Sequence, residues 1–328
     1  MTEQKYSEEY KKEVIEYARR LLDNNLPVIF DLTHLSLLIG MKKKEIAYII
    51  FGKNRKNYKT VSIPKKSGGE RKISIPCTTL KFIQKWILRN ILNKMEVSNF
   101  ATGFEKNKSI KNNAQIHLNQ ECIINIDIAD FFPSIDMQKV YKIFRKAGYS
   151  KSVAYCLALI CIDDNKLPQG APTSPKLANI YCKRLDCRIN GLCKKYNARY
   201  SRYADDITIS GNKNIKNCLE IVNNIIQEEG FTLNNKKTRI QKKGQRQEVT
   251  GLNLNSGKVT IPKKYKRELE QEIYYCKKFG VSSHLEHIQV RKAFYKEHLY
   301  GKAYFINMIE PKVAEKILKE LDSIKWSY

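Results

Sequence analysis

Three acidic side chains stand where a soluble surface has no need of them. Asp127 closes the apolar run Cys122-Ile-Ile-Asn-Ile-Asp127, while Asp205 and Asp206 are neighbours between two short strand-like stretches, Arg199–Tyr203 and Ile207–Ser210. Adjacent carboxylates in a turn can point the same way, whereas neighbours along a straight strand face opposite sides. Unit charges ~4 Å apart repel by about 1 kcal/mol in water and about 4 kcal/mol near a protein surface. A chain with 60 Lys+Arg against 33 Asp+Glu, net +27, has little reason to build that repulsion unless a cation relieves it. Hard carboxylate oxygens suit Mg²⁺. Asp127 on a neighbouring strand would supply a third ligand, so two Mg²⁺ ions could share Asp127, Asp205 and Asp206. Such a pair can perform in-line displacement at phosphorus, activating the attacking hydroxyl and stabilising the leaving group. Alone, the Asp-Asp pair also fits a solvated turn.

The charge agrees with phosphate chemistry. An excess of +27 raises self-repulsion and so implies an anionic partner, nucleic acid before an anionic membrane surface. No run approaches the ~18 apolar residues that would span a bilayer, and the basic residues are spread along the chain, so no membrane partner is expected. The stretch Met1 to Arg20 is highly charged and lacks the apolar core of a secretion signal. The nine cysteines between Cys77 and Cys276 include no CxxC pair, which points to reduced, mostly buried thiols and a cytoplasmic location. At 328 residues, 42% hydrophobic and 28% charged, the chain can bury a sizeable core over two or three subdomains.

These residues need elements to hold them. Tyr10, Val14, Tyr17, Ala18, Leu21 and Leu22 recur at helical spacing, and a second helical stretch over Leu32–Phe51 breaks near Gly40. The basic segment Lys53–Lys72 carries eight Lys/Arg and one acid, with alternating strands flanking Gly68-Gly69 as in a β-hairpin. Helical periodicity returns over Thr79–Met95. After the Cys122–Asp127 strand come helices at about Asp136–Ala147 and Lys151–Ile162, a loop with Pro168-Gln169-Gly170, and one long helix over Ser174–Tyr196. A helix near Ile215–Glu229 and short strands run to Ile261; the last ~65 residues are basic and mostly helical. Mixed rather than strictly alternating elements predict an α+β fold with an antiparallel sheet.

Tyr203-Ala204-Asp205-Asp206 resembles the signature turn of reverse transcriptases. Asp127-Ile-Ala-Asp-Phe-Phe132 resembles their first aspartate motif, and Leu167-Pro-Gln-Gly-Ala-Pro172 their nucleotide-pocket loop. Lys236-Lys237-Thr238 and the basic hairpin around Arg71 follow in the family's order, so the likeness covers about residues 55 to 262. Asn113-Ala114-Gln115-Ile116-His117 and Val249-Thr250-Gly251 resemble the Asn-Ala-x-x-His and Val-Thr-Gly elements of bacterial retron enzymes. The resemblance implies a right-hand polymerase: an N-terminal helical extension (1–52), fingers (53–120), a palm (121–262) with inserted finger helices at about 136–165, and a helical thumb (263–328). It also implies an RNA-directed DNA polymerase. Its partners would be dNTPs, a cognate structured non-coding RNA and its branched DNA product, and an effector protein in antiphage defence.

Roles follow residue by residue from the resemblance. Phe132 falls where the family screens the sugar 2′ position, with Phe131 in the core. Gln169 and Gly170 would contact the incoming nucleotide, Gly170 by close backbone approach. Arg71, the natural bidentate phosphate ligand, would clamp the triphosphate with Lys65, Lys66 and Lys72. Lys237, or its neighbour Lys236, would protonate the leaving pyrophosphate. Asp130 would bond backbone or sugar near the triphosphate, or else start a helix before Pro133. Tyr203 would pack against primer or template. Residue chemistry predicts for Asn113 and His117 only a cap and a satisfied histidine, whereas the resemblance implies a retron-specific function in organising the RNA or the finger–palm junction. Aromatic and basic residues interleaved after Lys263 suit structured RNA, although the aromatics also fit a helix-packing core. About 65 residues after the palm are too few for an RNase H domain, so template removal would fall to a host RNase H. The rival readings are a group II intron or diversity-generating enzyme, and a non-catalytic RNA-binding scaffold of the same fold.

Overall fold

The computed structural model describes residues 7–52, 56–64, 68–289 and 294–326. Three helices open the chain: α1 (Glu8–Asp23), α2 (Leu32–Ile39) and α3 (Lys43–Phe51). Side chains start the first two, Ser7 accepting from the Tyr10 amide and Asp31 from that of His34, which satisfies N–H groups that have no partner within the helix. Gly40 ends α2 at φ +77°, a conformation a side chain would resist. Leu21, Leu35, Ile46 and Ile50 bury into the same core as the later helices, so these residues are part of the main body.

The basic hairpin forms as expected. Strands β1 (Tyr58–Pro64) and β2 (Glu70–Pro76) pair from Tyr58↔Pro76 to Pro64↔Glu70. Helix α4 (Thr78–Asn90) and the short α5 (Ile110–Ile116) lead to β3 (Cys122–Ala129). Helices α6 (Met137–Lys146), α7 (Lys151–Cys161), α8 (Ser174–Tyr181) and α9 (Lys183–Lys195) intervene before β4 (Arg199–Tyr203) and β5 (Asp206–Gly211). The single helix expected over Ser174–Tyr196 is therefore two, sharing Cys182 as a cap. Leu177, Ala178, Cys182, Leu185, Ile189 and Cys193 are all buried across the junction, so hydrophobic periodicity had no means of revealing the break.

Helix α10 (Leu219–Glu228) and short strands β6 (Thr232–Leu233) and β7 (Arg239–Lys242) complete an antiparallel five-stranded sheet of order β4-β5-β3, with β6 and β7 sharing the far edge of β3. Ile124, Ile126 and Ile128 on one face of β3 join the main core. Strand alternation puts Asp127 on the opposite face.

A second core lies beyond. Strands β8 (Glu248–Val249) and β9 (Leu252–Asn253) form a hairpin whose two turn residues, Thr250 and Gly251, have φ +47° and +79°, as a two-residue hairpin of type I′ requires. Val249, Leu252, Val259 and Ile261 pack with the last four helices, α11 (Lys263–Phe279), α12 (Val281–His287), α13 (Tyr295–Ile309) and α14 (Pro311–Asp322). Residues 249–261 thus share a core with the C-terminal helices. All nine cysteines are free thiols. Among the described residues no helix is long and apolar enough to cross a membrane.

Candidate active site

The β4–β5 turn is tighter than its sequence suggested. Tyr203 pairs with Asp206, which is already the first residue of β5, leaving Ala204 and Asp205 as the loop. Asp206 in turn faces Asp127 across β5 and β3, and the Ile128 amide donates to the Asp205 carbonyl at 3.0 Å. Backbone pairing alone therefore brings the three aspartates to one end of the sheet.

Their side chains are unevenly partnered. Asp127 is buried, and its carboxylate accepts from Lys237 Nζ at 2.8 and 3.0 Å and from Asn234 Nδ2 at 3.0 Å. The Asn234 amide also donates to the Asp127 carbonyl at 2.8 Å. Burial, then the Asp127 charge, push the Asp205 carboxyl up, against the pull of its own backbone amide. Asp206 is pushed up to about 6, by desolvation first and then by the Asp205 and Asp127 charges. The hydrogen bond to Asp127 holds the Lys237 ammonium above its ordinary value.

Among the described residues, no three His, Cys, Asp or Glu side chains converge closely enough to hold a metal ion as they stand. The expected three-carboxylate cage is thus not preformed, and Lys237 takes the Asp127 oxygens. The donor set nonetheless fits a hard divalent cation, being all-carboxylate and carrying two acids made reluctant to ionise by burial first and then by neighbouring carboxylate charge.

Around this centre the predicted nucleotide residues divide. Arg71 on β2 lies near enough to Asp205 to favour its charged form; Lys72 beside it is exposed, and Lys65 and Lys66 fall outside the described residues. The pocket loop is joined to that hairpin, the Ser74 amide donating to the Gln169 carbonyl at 2.9 Å. A Cβ on Gly170, at φ +129°, would meet the Ser74 carbonyl at 2.7 Å. Phe131 is in the core, stacked 5.7 Å from Phe231, while Phe132 is half-buried beside it. Asp130 is exposed at φ +45°, and the following helix is capped by Asp136, so the helix-starting alternative for Asp130 fails. Lys237 and not Lys236 reaches the aspartates; Lys236 is exposed.

Two neighbours escaped the sequence reading. Asn234 orients Asp127, and its only signal was its place just ahead of Lys236-Lys237. Phe104, half-exposed at φ +63°, stands 6.3 Å from both Phe132 and Tyr203, making one aromatic surface from three segments.

The Asn113 and His117 elements lie away from solvent. Asn113 Oδ1 accepts from Thr102 Oγ1 at 2.8 Å and Ser201 Oγ at 2.6 Å, and its Nδ2 reaches Thr250 Oγ1 at 3.5 Å. His117 bridges Ser210 and Ser201 at 2.6 and 2.7 Å and is fully buried, which with Arg199 nearby lowers its pKa to about 3. Ala114 belongs to the second core. A polar chain from half-buried Thr250 through Asn113, Ser201 and His117 to Ser210 therefore links the Asn-Ala-x-x-His helix, the Val249-Thr250-Gly251 turn and the strands behind the aspartates.

Comparison with known proteins agrees with this geometry. The model of the family described as reverse transcriptase (RNA-dependent DNA polymerase) matches residues 63–256. The chain is 35% identical to the retron Ec86 reverse transcriptase of Escherichia coli, over 94% of each chain. It is 30% identical to the retron Mx162 reverse transcriptase of Myxococcus xanthus, over 92% of this chain and 68% of that one. Superposition on the telomerase of Candida albicans gives a TM-score of 0.47 at 11% identity, over 94% of this chain and 59% of that one, a likeness too loose to bear on function. With the family shown over most of its length, the chain belongs to the retron reverse transcriptases, RNA-directed DNA polymerases of the α+β right-hand fold.

Proposed function

We propose that this polymerase copies part of its own structured non-coding RNA into a branched, RNA-linked single-stranded DNA, primed by an RNA 2′-hydroxyl. The observation that carries the reading is the register Asp127↔Asp206 beneath the Asp205 turn, with Arg71 of the basic hairpin close by. Asp127, Asp205 and Asp206 would hold two Mg²⁺ ions, which supply activation of the attacking hydroxyl and neutralisation of the leaving pyrophosphate. The rest is work for the chain's own side chains. Arg71 and Lys72, with Lys65 and Lys66, clamp the triphosphate; Gln169 and Gly170 line the nucleotide; Phe132 excludes a ribose 2′-hydroxyl; Tyr203 supports primer or template. Lys237 carries the proton for the leaving pyrophosphate and must first release Asp127. Asp130, exposed beside Phe131, would bond backbone or sugar near the triphosphate.

We assign residues 53–120 to the fingers, 121–262 to the palm with finger helices near 136–165, and 263–328 to the thumb, behind a helical extension at 1–52. The thumb recognises the cognate RNA. Because Asn113 contacts Ser201 and Thr250, and His117 contacts Ser201 and Ser210, their role is to tie the fingers segment to the palm strands and the 248–253 hairpin rather than to touch RNA. The proposed setting is the cytoplasm, with a host RNase H trimming the template and an effector protein completing an antiphage system.

The test is to express the gene with its upstream DNA and run extracted nucleic acid on a denaturing gel beside an Asp205→Ala, Asp206→Ala version. A discrete small DNA that changes mobility on RNase treatment, and is absent from the variant, is expected. Primer extension by purified protein without such a DNA refutes the branched product and leaves the polymerase. Neither DNA nor extension would favour the scaffold reading.

A further inference from the structure

Among the described residues Arg202 is the largest side chain fully enclosed by the protein, and it sits two residues before Ala204. Its Nε and Nη2 donate to the two Asp186 oxygens at 2.7 and 2.8 Å; Nη1 donates to Asn179 Oδ1 and to the Ala204 carbonyl, both at 3.1 Å. Tyr200 donates its hydroxyl to the same Asp186 oxygen at 2.7 Å. The guanidinium also lies 6.0 Å from the Phe131 ring, next to Phe132. Burying both members of an ion pair is costly, and well-packed apolar side chains of like volume often stabilise a fold as well or better. Stability alone is thus a weak reason for this cluster.

The reason lies in what Nη1 holds. Ala204 has φ +57°, a conformation disfavoured for any residue with a Cβ. A Cβ on Gly103 would come within 2.8 Å of the Ala204 nitrogen, so one side of the turn is closed by backbone; the Arg202 guanidinium takes the carbonyl on the other. Rotation of the Ala204–Asp205 peptide would tear that carbonyl from Nη1 and swing Asp205 away from Asp127. We propose that Arg202, itself aimed by Asp186 and Asn179, is a positioning residue that locks the peptide leading into Asp205 and sets its carboxylate for metal and nucleotide. The proposal rests on Asp205 being catalytic, as read above.

Arg202→Lys keeps the charge but cannot span both Asp186 oxygens, Asn179 and the Ala204 carbonyl with one ammonium. A displacement of ~1 Å at a reacting group can cost about 100-fold in rate. Single-nucleotide incorporation by Arg202→Lys should show kcat reduced at least ~10-fold, with the dNTP KM and template–primer Kd little changed. Mn²⁺ binding followed by electron paramagnetic resonance should weaken in parallel. Tyr200→Phe disturbs the same buried cluster without touching the Ala204 carbonyl and should keep wild-type kcat. Should the lysine variant not fold, the triple replacement Arg202→Met, Asp186→Leu, Tyr200→Phe removes every charge with apolar volume and should fold yet remain slow. Wild-type kcat in either folded Arg202 variant, or an equal loss in Tyr200→Phe, overturns the proposal. Activity surviving Asp205→Ala would instead overturn the catalytic reading beneath it.

Discussion

The buried His117, held between two strand serines, should make the protein's stability acid-sensitive by a calculable amount. His117 is uncharged in the folded protein down to about pH 3, because its enclosure between Ser201 and Ser210, with Arg199 nearby, disfavours the imidazolium. In the unfolded chain it titrates near ~6.5. Between those values the unfolded state binds the extra proton, so this contribution is complete above about pH 6.5 and is lost as pH falls towards 3. At about 1.4 kcal/mol per pH unit below the unfolded value, lowering pH from 7 to 5 removes about 2 kcal/mol. Asp206 works in the other direction: with its folded carboxyl pushed up to about 6, the folded state takes up a proton first, and that term gains stability over the same acidification. The measurement is therefore a difference. Urea unfolding of wild type and His117→Gln, at pH 7 and pH 5 without divalent ions, cancels Asp206 and every other shared group. Wild type should lead at pH 7, and its lead should shrink by about 2 kcal/mol at pH 5. An unchanged gap would mean that His117 is hydrated or charged in the folded protein, and its burial would be misread.

Three further outcomes follow from the site. Phe132→Val should open the sugar pocket and reduce discrimination against ribonucleotides by ~10–200-fold, read from the ratio of kcat/KM for dNTP and rNTP; an unchanged ratio would remove Phe132 from the gate. Gly170→Ala meets the Ser74 carbonyl at 2.7 Å in a backbone region that side chains resist, so thermal unfolding should show a loss of about 1–3 kcal/mol. The dNTP KM should rise while template–primer affinity holds, and wild-type values in both would refute the welded loop. Asp206→Asn removes a carboxyl raised by burial and then by the Asp205 and Asp127 charges; without divalent ions it should melt at a higher temperature than wild type while nucleotide incorporation disappears, and a lower melting temperature would contradict a carboxylate held there at a cost in desolvation and repulsion.

Local pattern made much of this protein legible. The strand read at Arg199–Tyr203 has β4's observed limits, Gly40 marked a helix end, and Gly68-Gly69 marked the basic hairpin. These succeed because a helix or strand writes its own period into the chain, and because positive φ selects glycine. The aspartates were legible for another reason: adjacent like charges in a basic chain are conspicuous without any knowledge of the fold. What escaped were bonds between polar groups far apart in sequence. Lys237 reaches across 110 residues to Asp127, and Asn113 reaches across 137 to Thr250. Arg202 reads as one more surface cation until α9 brings Asp186 beneath it. A lone polar side chain carries no periodicity, and whether it is solvated, buried or catalytic depends on which partner the packing delivers. Residue type and local order thus determined the elements and the chemistry on offer. Only tertiary packing decided which cation guards Asp127, which one braces the turn before Asp205, and that Asn113 and His117 are buried against the serines of β4 and β5.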